Sequence, residues 1–138
     1  MGQYLSTPVT EKDIEDGSST LCEWGVCSMQ GWRVEQEDAH AAHTGLNNDP
    51  DTAFFGVYDG HGGKEVSKFS SRYIADALTS SEEYKKGDIG EAMIYSYLRM
   101  DEIMMESGHQ KELQELAREG KKKKSKKKKK GLAPQAIK

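Results

Sequence analysis

Asp59 and His61 stand two residues apart in VYDGHGGKEV, residues 57–66, and upstream the stretch RVEQED holds Arg33, Glu37 and Asp38. Glu37, Asp38 and Asp59 are hard oxygen donors of the kind Mg²⁺ and Mn²⁺ prefer. The guanidinium of Arg33 offers a planar fork that matches a phosphate. His61 supplies an imidazole, a side chain that can deliver a proton. Carboxylates, an arginine and a histidine together predict metal-assisted phosphoryl chemistry.

Two other chemistries come close and fail. Cys22, Cys27, His40 and His43 read C-x4-C-x12-H-x2-H, near a zinc-finger spacing. The last spacer is too short, and the segment between lacks an amphipathic helix and is acidic where a DNA reader is basic. The glycine-rich DGHGGKE resembles a phosphate cradle ahead of a helix. Glu65, however, stands where a nucleotide-binding loop needs Ser or Thr.

The elements that must position these groups follow from pattern. TAFFGVY reads as a buried strand ending on Asp59, and CEWGVCSMQ and EDAHAAH as two more. Asp-Gly after an apolar run signals a hairpin, yet helical spacing follows instead: Val66, Phe69, Tyr73, Ile74, Ala77 and Leu78 predict a helix from about Lys64 to Leu78. Asp88 and Glu91 form a capping pattern for a second helix, with Ile94, Tyr97, Leu98, Asp101, Met104 and Met105 as its expected core stripe. A break is expected at Gly108 before HQKELQELARE. Residues 1–20 read as polar and irregular, and from Lys121 the low-complexity chain is assigned no structure.

The chain has 138 residues and a formal net charge of −3. Residues 1–120 hold 10 Lys and Arg against 23 Asp and Glu, a balance of −13, while Lys121–Lys130 supplies nine lysines in ten positions. Leu, Ile, Val and Phe number 22 together, so the core is thin. The acidic body argues against nucleic acid and leaves the lysine tail as the one segment with such character. Two cysteines and no secretory h-region predict a reducing, cytoplasmic setting. MGQYLS fits the pattern for myristoylation of Gly2. One acyl chain plus a polybasic run would suffice for association with a membrane surface. The lysine run equally fits nuclear import.

SMQGWRVEQEDAH followed by FFGVYDGHGG resembles the first two signature motifs of the type-2C, metal-dependent serine/threonine protein phosphatases, and MGQYLSTP is similar to the opening of their animal-type branch. The resemblance covers about residues 1–107. It implies an α+β fold, the amino-terminal part of a four-layer αββα sandwich in which two packed antiparallel sheets are flanked by helices. It implies two Mn²⁺ or Mg²⁺ ions per complete site, with Asp59 bridging both, the Gly60 carbonyl and Glu37 as ligands, and Asp38 acting through water. Arg33 is then the phosphate-binding arginine and His61 the general acid. Gly60 is expected for its permissive dihedrals, which let its carbonyl turn to a metal. The substrates implied are phosphorylated proteins.

The organisation expected is a segment with a lipidation signal over 1–20, part of a phosphatase catalytic domain over 21–119, and a disordered lysine-rich tail over 120–138. Later aspartate motifs of the family have no counterpart after Gly120, so an incomplete site is expected in the chain alone. The competing reading is a non-catalytic relative that engages membrane or nucleic acid through its basic tail.

Overall fold

The computed structural model describes residues 4–130, with residues 120–130 as backbone alone. The lipidation pattern's Gly2 and the end of the tail, 131–138, lie outside the described residues. The fold is α+β, with two small antiparallel sheets and helices, as the resemblance implied.

The expectation for residues 1–20 is corrected. Strand β1, Tyr4–Ser18, pairs antiparallel with β2, Glu23–Arg33, from Tyr4↔Arg33 to Ser18↔Glu23. The expected boundary at residue 20 therefore falls inside a hairpin. Polar residues hid the strand because both faces are largely exposed, so the sequence lacks the alternation that a half-buried strand shows. Register shifts between Tyr4 and Lys12 accommodate Pro8, which has no N–H for a ladder. Ser19 closes the hairpin, its Oγ accepting from the backbone N–H of Leu21 at 3.1 Å and of Cys22 at 3.3 Å.

The second sheet carries the site. Strand β3, Ala39–Thr44, pairs antiparallel with β4, Ala53–Tyr58, in continuous register from Ala39↔Tyr58 to Thr44↔Ala53. Side chains alternate along β4: Phe54 and Tyr58 pack on the helices, while Phe55 and Val57 face outward, Val57 at 79% exposure. The sheets meet through Trp24 and Phe55, ring centroids 6.3 Å apart, and through His40 Nε2 and Glu15 Oε2 at 3.3 Å.

Helix α1, Glu65–Ser80, lies on the second sheet, with Phe69, Ile74, Ala75, Ala77 and Leu78 buried. Val66, expected on the same face, is exposed. The Ser81 side chain caps a short helix, α2, Glu82–Lys85. Helix α3, Ile89–Met105, opens as predicted, with Asp88 Oδ1 accepting from the Glu91 N–H at 3.2 Å. Its buried line is not the predicted one. Ala92, Ser96 and Met100 face the core, while Ile94, Tyr97, Leu98 and Met105 are exposed, at 81% for Met105. The small side chains of Ala92 and Ser96 admit close helix approach, and the Ser96 hydroxyl is satisfied locally by the Met93 carbonyl at 2.8 Å.

Helix α4, Ser107–Lys130, follows after α3 closes at Glu106, one residue ahead of α4 and short of the expected break at Gly108. Its continuation to Lys130 corrects the expectation of no structure from Lys121. Lysine is a good helix former, and cations favour the C-terminal end of the helix dipole. None of the described helices is long and apolar enough to cross a membrane.

One buried group has a measurable consequence. The Tyr58 hydroxyl has no hydrogen-bond partner among the described residues. Burial, with Tyr97 nearby, pushes its phenol up to about 12. Because the folded value lies above the unfolded one, near 10, the stability it contributes is complete below pH 10 and is lost as pH rises towards 12. Tyr58→Phe is expected to leave stability at pH 7 unchanged or raised by up to about 1 kcal/mol, and to flatten the loss above pH 10. Urea midpoints at pH 7 and pH 11 check both; a clear destabilisation at pH 7 would mean the hydroxyl has a partner.

Candidate active site: two loops at the end of β3 and β4

The residues singled out by type sit on two loops. β2 ends on Arg33, and residues 34–38 lead into β3; β4 ends on Tyr58, and residues 59–64 lead into α1. Because β3 and β4 are antiparallel, with Ala39 opposite Tyr58, Asp38 and Asp59 leave the sheet at the same end. The register fixes that juxtaposition.

Gly60 is the contact between the loops. Its N–H donates to Asp38 Oδ1 at 3.4 Å, and its Cα lies so close to the Glu37 carbonyl that a Cβ would overlap it. Gly60 is therefore required for space rather than for a positive φ. The left-handed conformations fall on Gly62, at 78°, and Gly63, at 157°, which turn the chain into α1.

Ser67, in the first turns of α1, completes the scaffold. It is buried, and its hydroxyl faces the carbonyls of both Glu37 and Lys64, the latter at 3.1 Å. Helix and acidic loop are thus tied directly. The sequence reading missed Ser67, since a serine at a helical position carries no signal of what packs against it. On the other flank, Gln30 Nε2 donates to the carbonyls of Arg33 at 2.9 Å and Val34 at 3.1 Å, fixing the exit from β2.

Arg33, Asp38, Asp59 and His61 are exposed and Glu37 is half-buried, so the groups are open to a ligand. The donor set is oxygen, which suits Mn²⁺ or Mg²⁺. The loops bring Asp38 and the Gly60 backbone together, but among the described residues no three His, Cys, Asp or Glu side chains are gathered as a metal cage. The residues of the zinc-like spacing are dispersed. His40 meets Glu15, the His43 ring lies 6.3 Å from that of Phe54, and Cys27 is exposed on β2.

Residues 22–125 match the family model of protein phosphatase 2C. The chain belongs to the protein phosphatase 2C family. Similar members include "Probable protein phosphatase 2C 58" of Oryza sativa subsp. japonica, 49% identical over 84% of this chain and 31% of the relative. "Probable protein phosphatase 2C 60" of Arabidopsis thaliana is 52% identical over 75% of the chain and 29% of the relative. "Protein phosphatase ppm-1.G" of Caenorhabditis elegans is 41% identical over 89% of the chain and 25% of the relative. This protein phosphatase 2C chain thus spans under a third of the length of these relatives. The matched region contains both candidate loops and reaches into α4, so the DGHGG loop, α1 and α3 are the family's own part of the structure.

Proposed function

We propose that the chain contributes the first half of a site for metal-dependent hydrolysis of phosphoserine and phosphothreonine in proteins. The observation that carries this reading is the Gly60 contact, which places the Asp38 carboxylate, the Glu37 backbone and the Asp59–His61 loop at one end of the second sheet. Family membership supports the same chemistry.

In this reading Asp59, Glu37 and the Gly60 carbonyl hold the ions, and Asp38 acts through water. Divalent cations held there would supply a nucleophilic water at neutral pH and neutralise charge on the phosphoryl group. Arg33 orients the phosphate through its guanidinium fork. His61 protonates the departing serine or threonine oxygen, whose alkoxide is a poor leaving group. Asp38 also accepts from the Gly60 N–H, which fixes the backbone whose carbonyl is the ligand.

The test is a chimaera in which this chain is continued by the remaining two-thirds of a family relative. His61→Gln is expected to lower turnover of a phosphoserine peptide by roughly 10²–10⁴-fold, the usual worth of a general acid. An activated aryl phosphate, whose leaving group needs no proton, should lose far less. Equal losses on both substrates would remove His61 from the acid's role. No Mn²⁺- or Mg²⁺-dependent hydrolysis by the unmutated chimaera would remove the phosphatase reading itself.

A further inference from the structure

The placement of α4 gives the lysine run a direction. α4 packs antiparallel to α1. Near its start, the His109 ring lies 5.3 Å from Phe69 and 5.1 Å from Tyr73. In mid-course Glu112 accepts from Arg72 Nη1 at 2.5 Å and from the Tyr73 hydroxyl at 2.6 Å. Leu116 is buried, and Glu119 Oε2 then meets Lys68 Nζ at 3.5 Å and Lys64 Nζ at 3.9 Å. Glu119 is therefore level with the first turn of α1, which begins directly after DGHGGK. The helix continues from there to Lys130, eleven residues or roughly 16 Å at 1.5 Å per residue. It extends beyond the amino end of α1, the end at which the Asp59–His61 loop joins that helix.

We infer that Lys121–Lys130 is a docking arm for acidic or multiply phosphorylated segments of the protein substrate, carried beside the candidate active site. This rests on the phosphatase reading above. The first 120 residues carry 23 Asp and Glu against 10 Lys and Arg, so the body by itself repels such a substrate. Each phosphate adds about −1.5 to −2 charge at pH 7 and strong acceptor oxygens. Nine lysines in ten positions answer that charge, on a helix directed towards the end of α1 where the Asp59–His61 loop joins it. Like charges at i and i+4 disfavour the helix, and an anion seated among them relieves that repulsion.

Two other occupants are less well matched. Residues 120–130 contain no apolar side chain other than the aliphatic stems of lysine, so the run has nothing to insert into a bilayer. α4 contains no Phe, Tyr or Trp on which bases could stack.

Fluorescence anisotropy on the 138-residue chain tests the arm. The probes are a phosphoserine peptide with glutamate-rich flanks and the same peptide with neutral flanks. At low ionic strength the acidic peptide is expected to bind at least ~10-fold more tightly, and the preference should collapse with added salt. Replacing all nine lysines of 121–130 by Gln should abolish the preference, and replacing them by Arg should keep it. Circular dichroism of each variant reports whether α1, α3 and α4 remain folded; if the Gln variant is not, the salt dependence and the Arg variant decide.

Equal affinity for the two peptides, or a preference untouched in a folded Gln variant, would overturn the inference. So would tighter binding to a single-stranded RNA of matched charge, or to phosphatidylserine vesicles, than to the acidic peptide. Binding is read without turnover. A chain that prefers acidic peptide while the chimaera hydrolyses nothing sinks the phosphatase reading. Hydrolysis without the preference sinks the arm alone.

Discussion

Asp59→Asn in the chimaera should lower turnover on a phosphoserine peptide by about 10²–10³-fold or more, the scale on which loss of a preorganised electrostatic partner is felt. The substitution keeps size and shape and removes one charge where the proposed site needs it most. Asp59 follows the last residue of β4, Tyr58, whose register partner is Ala39, so a rigid ladder places it. Asp38→Asn is expected to cost less, about 10–100-fold, because an amide oxygen can still accept from the Gly60 N–H. Raising Mn²⁺ should recover part of the Asp38 loss and little of the Asp59 loss. Turnover measured across Mn²⁺ concentrations separates the two; equal losses, or full recovery of the Asp59 variant by metal, would contradict a direct role for Asp59 in holding the ions.

The 138-residue chain by itself should be marginally stable, turn over no phosphopeptide, and respond weakly to Mn²⁺. Among the described residues most of the buried apolar side chains form two small clusters, one around Leu46, Ala75, Leu78 and Ala92, the other around Ile74, Ala77 and Met100, with Phe69 and Leu116 buried outside them. Against these stand outward-facing Phe55 and Val57 on β4 and Ile94, Tyr97, Leu98 and Met105 on α3, all exposed. Among the described residues each sheet has two strands, so each strand presents an unpaired edge. With no carboxylates gathered as a cage among the described residues, Mn²⁺ is expected to bind weakly, with a Kd on the order of 1 mM. At 1 mM such a ligand adds only about 0.4 kcal/mol, a shift in melting temperature under roughly 3 °C. A shift of 10 °C or more, together with hydrolysis of phosphopeptide, would show that the site is complete within these residues.

The sequence by itself determined the candidate groups and the local elements. β3, β4, α1 and the Asp88 cap of α3 follow from short-range signals: apolar runs, glycine punctuation, helical spacing and a carboxylate three residues ahead of an N–H. The oxygen, guanidinium and imidazole groups are likewise read from residue type alone. Strand β1 was hidden because a strand exposed on both faces leaves no periodic mark, and its identity rests on pairing with a distant partner. The outward face of α3 was misjudged for a related reason. Apolar spacing shows which residues share a face, whereas the choice of face depends on what the neighbour admits, and α1 admits the small residues Ala92 and Ser96. Gly60 changed its meaning in the same way, from a residue wanted for its dihedrals to one wanted for the space beside Glu37. Only the tertiary structure decided that the loop of Glu37 and Asp38 meets the loop of Asp59, that Ser67 ties the first of them to α1, and that α4 runs back along α1. Those are contacts between segments more than twenty residues apart, fixed by strand register and helix packing rather than by any local pattern.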